Sequence, residues 1–101
     1  TALYHADYEP VIANKAGEPR TEIVTLCGKH CESGDAVVID MPIQHPEVGD
    51  IACVFTTGAY CSTMSSNYNG QPKPAVVFVK DGVARVVTRR ETYADLYARD
   101  I

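Results

Sequence analysis

No apolar run in this 101-residue sequence exceeds six residues, so none crosses a bilayer as a helix, which needs about 20. Concentrated positive charge is missing too: nine basic residues are scattered against thirteen acidic ones, for a formal net charge of -4. A binder of the phosphate backbone needs a clustered positive field, so nucleic acid is excluded as a natural partner. The four cysteines, Cys27, Cys31, Cys53 and Cys61, include no Cys-x-x-Cys pair. Structural zinc normally uses such knuckles, and no metal is expected. Nothing else marks the chain as secreted, so the cysteines read as free thiols in a reducing compartment, the cytoplasm. No repeat or long linker divides the sequence, and its length suits one domain over residues 1–101. It opens in LYHADYEP with neither a methionine nor a secretory or transit pattern, which reads as a piece of a longer parent.

What is present is mostly β. The hydrophobic fraction of 46% and charged fraction of 22% suit a packed core rather than disorder. Residues 21–27 alternate, with Ile23, Thr25 and Cys27 opposing Val24 and Leu26, as in a strand, and Cys27 is expected to pack there as a small hydrophobe. Residues 36–41 and 51–55 are short apolar runs bounded by turn residues. Asp81-Gly82, between PAVVFV and VARVVT, is the strongest hairpin signal in the chain. Val11 and Ile12 suit an edge strand limited by Pro10, and residues 14–20 a polar loop. Tyr93, Leu96 and Tyr97 share a helical face, and residues 59–65 suit a short helical turn. The expected fold is a small β-barrel or sandwich of five or six strands with one or two short helices.

The stretch GKHCESGD at 28–35 places a thiol and a carboxylate at the tip of a strand, where a plain connection needs neither. Taken alone, Cys31 reads as an inert thiol and Glu32 as a solvated turn charge. Tyr4 and Tyr60 read as half-buried aromatics with satisfied hydroxyls. Gly34 and Asp35 set the turn, and His30, pointing away from Cys31, is structural.

Together, CESGD at 31–35, GAYCSTMSSNYN at 58–69, PKPAVVFV at 72–79 and RRETYADL at 89–96 resemble the C-terminal domain of diaminopimelate decarboxylases. The motifs come in the family's order, the likeness covers nearly the whole chain, and GKHCESGD with TTGAYC looks most like the actinobacterial branch. The resemblance implies a two-domain enzyme dependent on pyridoxal 5'-phosphate (PLP) that converts meso-diaminopimelate to L-lysine. It further implies an N-terminal (β/α)8 barrel holding the cofactor on a lysine, and a head-to-tail homodimer in which the CESGD loop enters the partner's active site. Lys15, Lys29, Lys73 and Lys80 match no position of that lysine, so the chain alone is expected to be inactive.

The resemblance also assigns roles. Cys31 takes the place of the family's proton donor, and a thiol with an ordinary pKa of ~8.5 holds its proton at neutral pH. Glu32 takes the place of the carboxylate that meets the distal ammonium of the substrate. Tyr60 matches the tyrosine that contacts both the PLP phosphate and the substrate. Tyr4 matches a tyrosine that holds the distal carboxylate, while the family's arginine just ahead of it falls outside Thr1. Two other readings stand beside this one: a non-catalytic dimerisation or binding module, and a decarboxylase of the same fold acting on ornithine or another diamino acid. Glu in CESGD argues against ornithine, whose decarboxylases carry Cys-Asp there.

Overall fold

The computed structural model describes residues 7–101 and divides into two compact units, the first ending at Ser62 and the second running from Thr63 to Ile101. In chain order the elements are β1 (Pro10–Ile12), β2 (Glu22–Cys27), β3 (Ala36–Ile43), β4 (Ala52–Val54), β5 (Val76–Lys80), β6 (Val83–Thr88) and the helix α1 (Tyr93–Leu96). Single 3-10 turns lie at Ala13–Lys15 and Tyr68–Gly70. The mostly-β expectation therefore holds. The strands pair two by two and antiparallel, β1 with β4, β2 with β3 and β5 with β6, and among the described residues no ladder closes them into a barrel.

In the first unit the core forms where β1 lies against β3. Pro10, Val11, Ile12, Val38 and Ile43 are buried there, each apolar side chain contributing about 1.5–3 kcal/mol by leaving water. Gln44 is buried among them with its amide satisfied: Oε1 accepts from the Ile12 N–H at 3.0 Å and Nε2 donates to the Glu18 carbonyl at 3.4 Å. A buried amide without such partners would oppose folding.

β2 and β3 form a hairpin whose last paired residues are Cys27 and Ala36. Along β2, Val24 and Leu26 are half-buried while Ile23, Thr25 and Cys27 are exposed. The expected packing of Cys27 is thus corrected: strand alternation puts it on the outward face with Thr25. Opposite Thr25, β3 carries one extra residue, since Val24 faces Met41 whereas Leu26 already faces Val38. Asp40 lies in this bulge with φ of 51°, and the Thr25 hydroxyl accepts its N–H at 3.3 Å. Such a bulge bends the strand and increases its twist.

In the second unit β5 and β6 pair across Asp81-Gly82, as the sequence predicts. Both turn residues have positive φ, 52° and 75°, the combination a tight two-residue hairpin requires. Thr92 caps α1: its hydroxyl accepts the Asp95 N–H, and the Asp95 carboxylate accepts the Thr92 N–H in return. Over residues 59–65 a turn forms at 61–64 but does not extend into a helix. There Tyr60 has φ of 69°, left-handed backbone that a right-handed turn does not pass through.

Candidate functional site

Residues 28–35 connect β2 to β3, and Asp35 closes their base three ways. Its carbonyl accepts the Gly28 N–H at 2.8 Å, its N–H donates to the Glu32 carbonyl at 3.1 Å, and its Oδ2 accepts the His30 N–H at 2.9 Å. The carboxylate lies so close over Gly28 that a Cβ there would stand 2.1 Å from Oδ2. A larger residue at this position would have to push the Asp35 carboxylate aside. The turn role expected of Asp35 is therefore real, and it extends across the whole loop.

Cys31 and Glu32 stand between these ties, and both are exposed. Oε1 of Glu32 accepts from the Gly34 N–H at 3.0 Å and lies 3.4 Å from the Ser33 hydroxyl. One carboxylate oxygen thus fixes the side chain against its own turn. Oε2 and the Cys31 thiol make no hydrogen bond with the described residues. The loop presents a thiol and an open carboxylate oxygen outward from a braced backbone.

Tyr60 stands on a different loop of the same unit, the one following β4, and is 70% exposed. Both Thr56 and Tyr60 have positive φ there, 58° and 69°. Beside it Cys61 Sγ lies 3.6 Å from the Tyr8 hydroxyl, and that contact raises the Tyr8 pKa above its ordinary value. No local sequence signal marks Tyr8 or pairs it with Cys61. Tyr4 lies outside the described residues. All four cysteines are free, and among the described residues no three His, Cys, Asp or Glu side chains gather as a metal site would need.

Two further clusters are structural. In the first unit, Asp50 accepts from Lys15 Nζ at 2.8 Å, from Asn14 Nδ2 at 2.8 Å and from the Glu47 N–H at 2.9 Å. These donors, Lys15 first, hold its carboxyl down at about 2. In the second unit, Asn67 Nδ2 donates to the Gln71 carbonyl at 3.0 Å and to the Glu91 carboxylate at 3.2 Å, which also accepts the Lys73 N–H at 3.2 Å. Asn67 of SNYN and Glu91 of RRET thus serve as braces for the proline-flanked loop between them.

The model for the pyridoxal-dependent decarboxylase family, C-terminal sheet domain, matches residues 1–58. The chain belongs to this family. Cys31 and Glu32 fall inside the matched residues. The chain is similar over its whole length to the diaminopimelate decarboxylase of Bacillus subtilis (strain 168), with 47% identity over 100 residues, 99% of this chain and 23% of the relative. The enzyme of Actinosynnema pretiosum subsp. auranticum is 44% identical over 101 residues, again covering 99% of this chain and 23% of the relative. The two identities are close, so the likeness is not peculiar to the actinobacterial branch. Among solved structures, the diaminopimelate decarboxylase of M. jannaschii in complex with L-lysine superposes with a TM-score of 0.84 at 35% identity, covering 99% of this chain and 23% of that one. The Helicobacter pylori enzyme, also complexed with L-lysine, gives 0.81 at 32%, over 98% of this chain and 24% of that one. The chain therefore spans roughly a quarter of the relatives it matches. Among the described residues no helix is long and apolar enough to cross a membrane.

Proposed function

We propose that this chain is the C-terminal sheet domain of a PLP-dependent diaminopimelate decarboxylase, which releases carbon dioxide from meso-diaminopimelate and leaves L-lysine. The observation that carries the reading is the braced loop that holds the Cys31 thiol and one open oxygen of Glu32 side by side at the surface. Groups so exposed act only where a second surface closes over them. A barrel domain of the same polypeptide and a second subunit supply that surface on this reading, and the thiols stay reduced in the cytoplasm.

Residues of the chain fit a secondary part in holding the cofactor. The exposed Tyr60 phenol is a donor suited to a phosphate oxygen. Lys15 is committed to Asp50 and the His45 carbonyl, and no lysine stands where the family's cofactor lysine would, so that group belongs to the barrel. When bound, PLP supplies an electron sink for the charge left as carbon dioxide departs. Cys31 then holds the proton for the carbon that has lost its carboxylate, Glu32 Oε2 orients the substrate through its distal ammonium, and the closed surfaces keep water out. Tyr4 is assigned to the distal carboxylate on the same reading.

The test is made on the full-length protein. Cys31→Ala is expected to lower kcat by roughly 10²–10⁴-fold with KM little changed, the mark of a lost general acid. Unchanged kcat would remove Cys31 from the reaction.

A further inference from the structure

We propose that Tyr8 and Cys61 are positioning residues for Tyr60, forming a clasp that sets the direction in which its phenol is presented. The inference rests on the reading of Tyr60 given above and names the device that holds it.

The loop carrying Tyr60 leaves the sheet at the end of β4. Its first residue, Phe55, still donates its N–H to the Glu9 carbonyl at 3.0 Å, which extends the β1–β4 ladder by one step beyond the Pro10–Val54 pair. Its far end is met by the Tyr8 hydroxyl, 3.6 Å from Cys61 Sγ. Two adjacent residues, Tyr8 and Glu9, therefore hold both ends of residues 56–60. Their own footing is firm. Pro10, Val11 and Ile12 follow at once in the buried core, and Glu9 Oε1 pairs with Arg20 Nη2 at 3.1 Å.

Between the two ties the backbone takes left-handed values at Thr56 and Tyr60. A residue with a side chain adopts such a conformation at a cost and keeps it only where its surroundings enforce it. Cys61 is covalently next to Tyr60, so a tie on its side chain restrains the loop backbone from which the Tyr60 side chain projects. A tyrosine phenol is protonated at neutral pH, and either the Tyr8 hydroxyl or the Cys61 thiol can be the donor in this contact. Sulfur is a weak partner, so the clasp aligns the loop without locking it.

The experiment compares full-length protein with Tyr8→Phe, Cys61→Ala, Cys61→Ser and Tyr60→Phe variants. Three readouts are taken: the dissociation constant of PLP from the reconstituted apoprotein, kcat and KM for meso-diaminopimelate, and the rate of Cys61 alkylation by iodoacetamide. Tyr8→Phe keeps the ring and deletes only the hydroxyl. It and Cys61→Ala are each expected to weaken PLP binding roughly two- to tenfold, the value of one hydrogen bond. Cys61→Ser, which keeps a donor and acceptor, is expected to stay near wild type, and Tyr8→Phe to speed alkylation of Cys61. In a Tyr60→Phe background, Tyr8→Phe is expected to add nothing. If Tyr60→Phe weakens PLP binding while Tyr8→Phe does not, or if the two losses add in full, the clasp is overturned and the role of Tyr60 stands. If Tyr60→Phe changes neither binding nor turnover, the role of Tyr60 falls and the clasp with it.

Discussion

Asp50 and His45 show how single ionisable groups tie the first unit to pH. Asp50 has its carboxyl held at about 2 against an ordinary 3.8, chiefly by Lys15 and then by Asn14 and the Glu47 N–H. A carboxylate depressed in the folded state contributes stability that is complete above 3.8 and lost as pH falls toward 2. Asp50→Asn is expected to flatten the acid limb of a pH–stability curve in that window, read as the midpoint of thermal unfolding against pH. His45 works in the opposite sense. Its Nδ1 meets the Glu22 carboxylate, and this hydrogen bond, with the charge behind it, raises the imidazole pKa from 6.5. Its contribution is complete below 6.5 and lost as pH rises through the raised value. Nuclear magnetic resonance titration of His45 is expected to give a pKa above 6.5 that returns toward 6.5 in Glu22→Gln. A His45 pKa unmoved by that substitution would leave the pairing without effect. His45 and Glu22 are exposed, so their pair is expected to weaken with added salt, and the largely covered Lys15–Asp50 pair less so.

At the scale of elements, the strands and the hairpin across Asp81-Gly82 are legible in the sequence, and the loops' internal bracing is not. Asp81-Gly82 announces its turn because only a few residue types accept positive φ at both central positions. The alternation over residues 21–27 announces β2, yet it does not tell which face turns inward, and Cys27 lies on the outward one. Residues 59–65 suit a short helical turn, but Tyr60 takes left-handed backbone, which no local pattern reports. The candidate site was legible as residue types at a strand tip; the clamp that presents them was not. Gly28 and Asp35 are seven positions apart, and their closeness exists only once β2 and β3 have paired in register. A glycine just after one strand and an aspartate just before the next is the one available signal. The clamp makes a definite prediction. Gly28→Ala forces its Cβ into the Asp35 carboxylate, which is expected to displace that side chain and free the His30 N–H. Destabilisation of about 0.5–3 kcal/mol follows, together with a fall in kcat of the full-length protein larger than that of Lys29→Ala, a neighbour outside the clamp. Equal effects of the two substitutions would show that the loop needs no bracing.

For the molecule as a whole, exposure decides what the chain can do by itself. Every residue of β6 is exposed, as is all of β5 after Val76, including Phe78 and the largely bare Val79 and Val83. A two-stranded hairpin with apolar side chains in water is not a self-sufficient structure. The relatives are about four times longer, and on the proposed reading the rest of such a polypeptide covers this surface. The isolated chain is accordingly expected to self-associate, and to show neither the absorbance of PLP bound to a lysine nor release of carbon dioxide. Either signal from these 101 residues would overturn the division of labour proposed here. The same logic reaches the active site. Cys31 and Glu32 project from an exposed loop, and on the proposed reading they serve a site built on another subunit. Mixed dimers test this directly. A Cys31→Ala chain is paired with a chain whose barrel lacks its cofactor lysine, each inactive as a homodimer. If the sites are shared, one of the two in the mixed dimer combines an intact lysine from one subunit with an intact thiol from the other. Activity then returns to about a quarter to a half of normal, depending on how completely the two chains pair with each other. If the mixed dimers form but remain inactive while wild-type dimers reassembled in the same way recover, Cys31 acts within its own polypeptide. The loop would then have to fold back onto its own barrel rather than reach across to the partner.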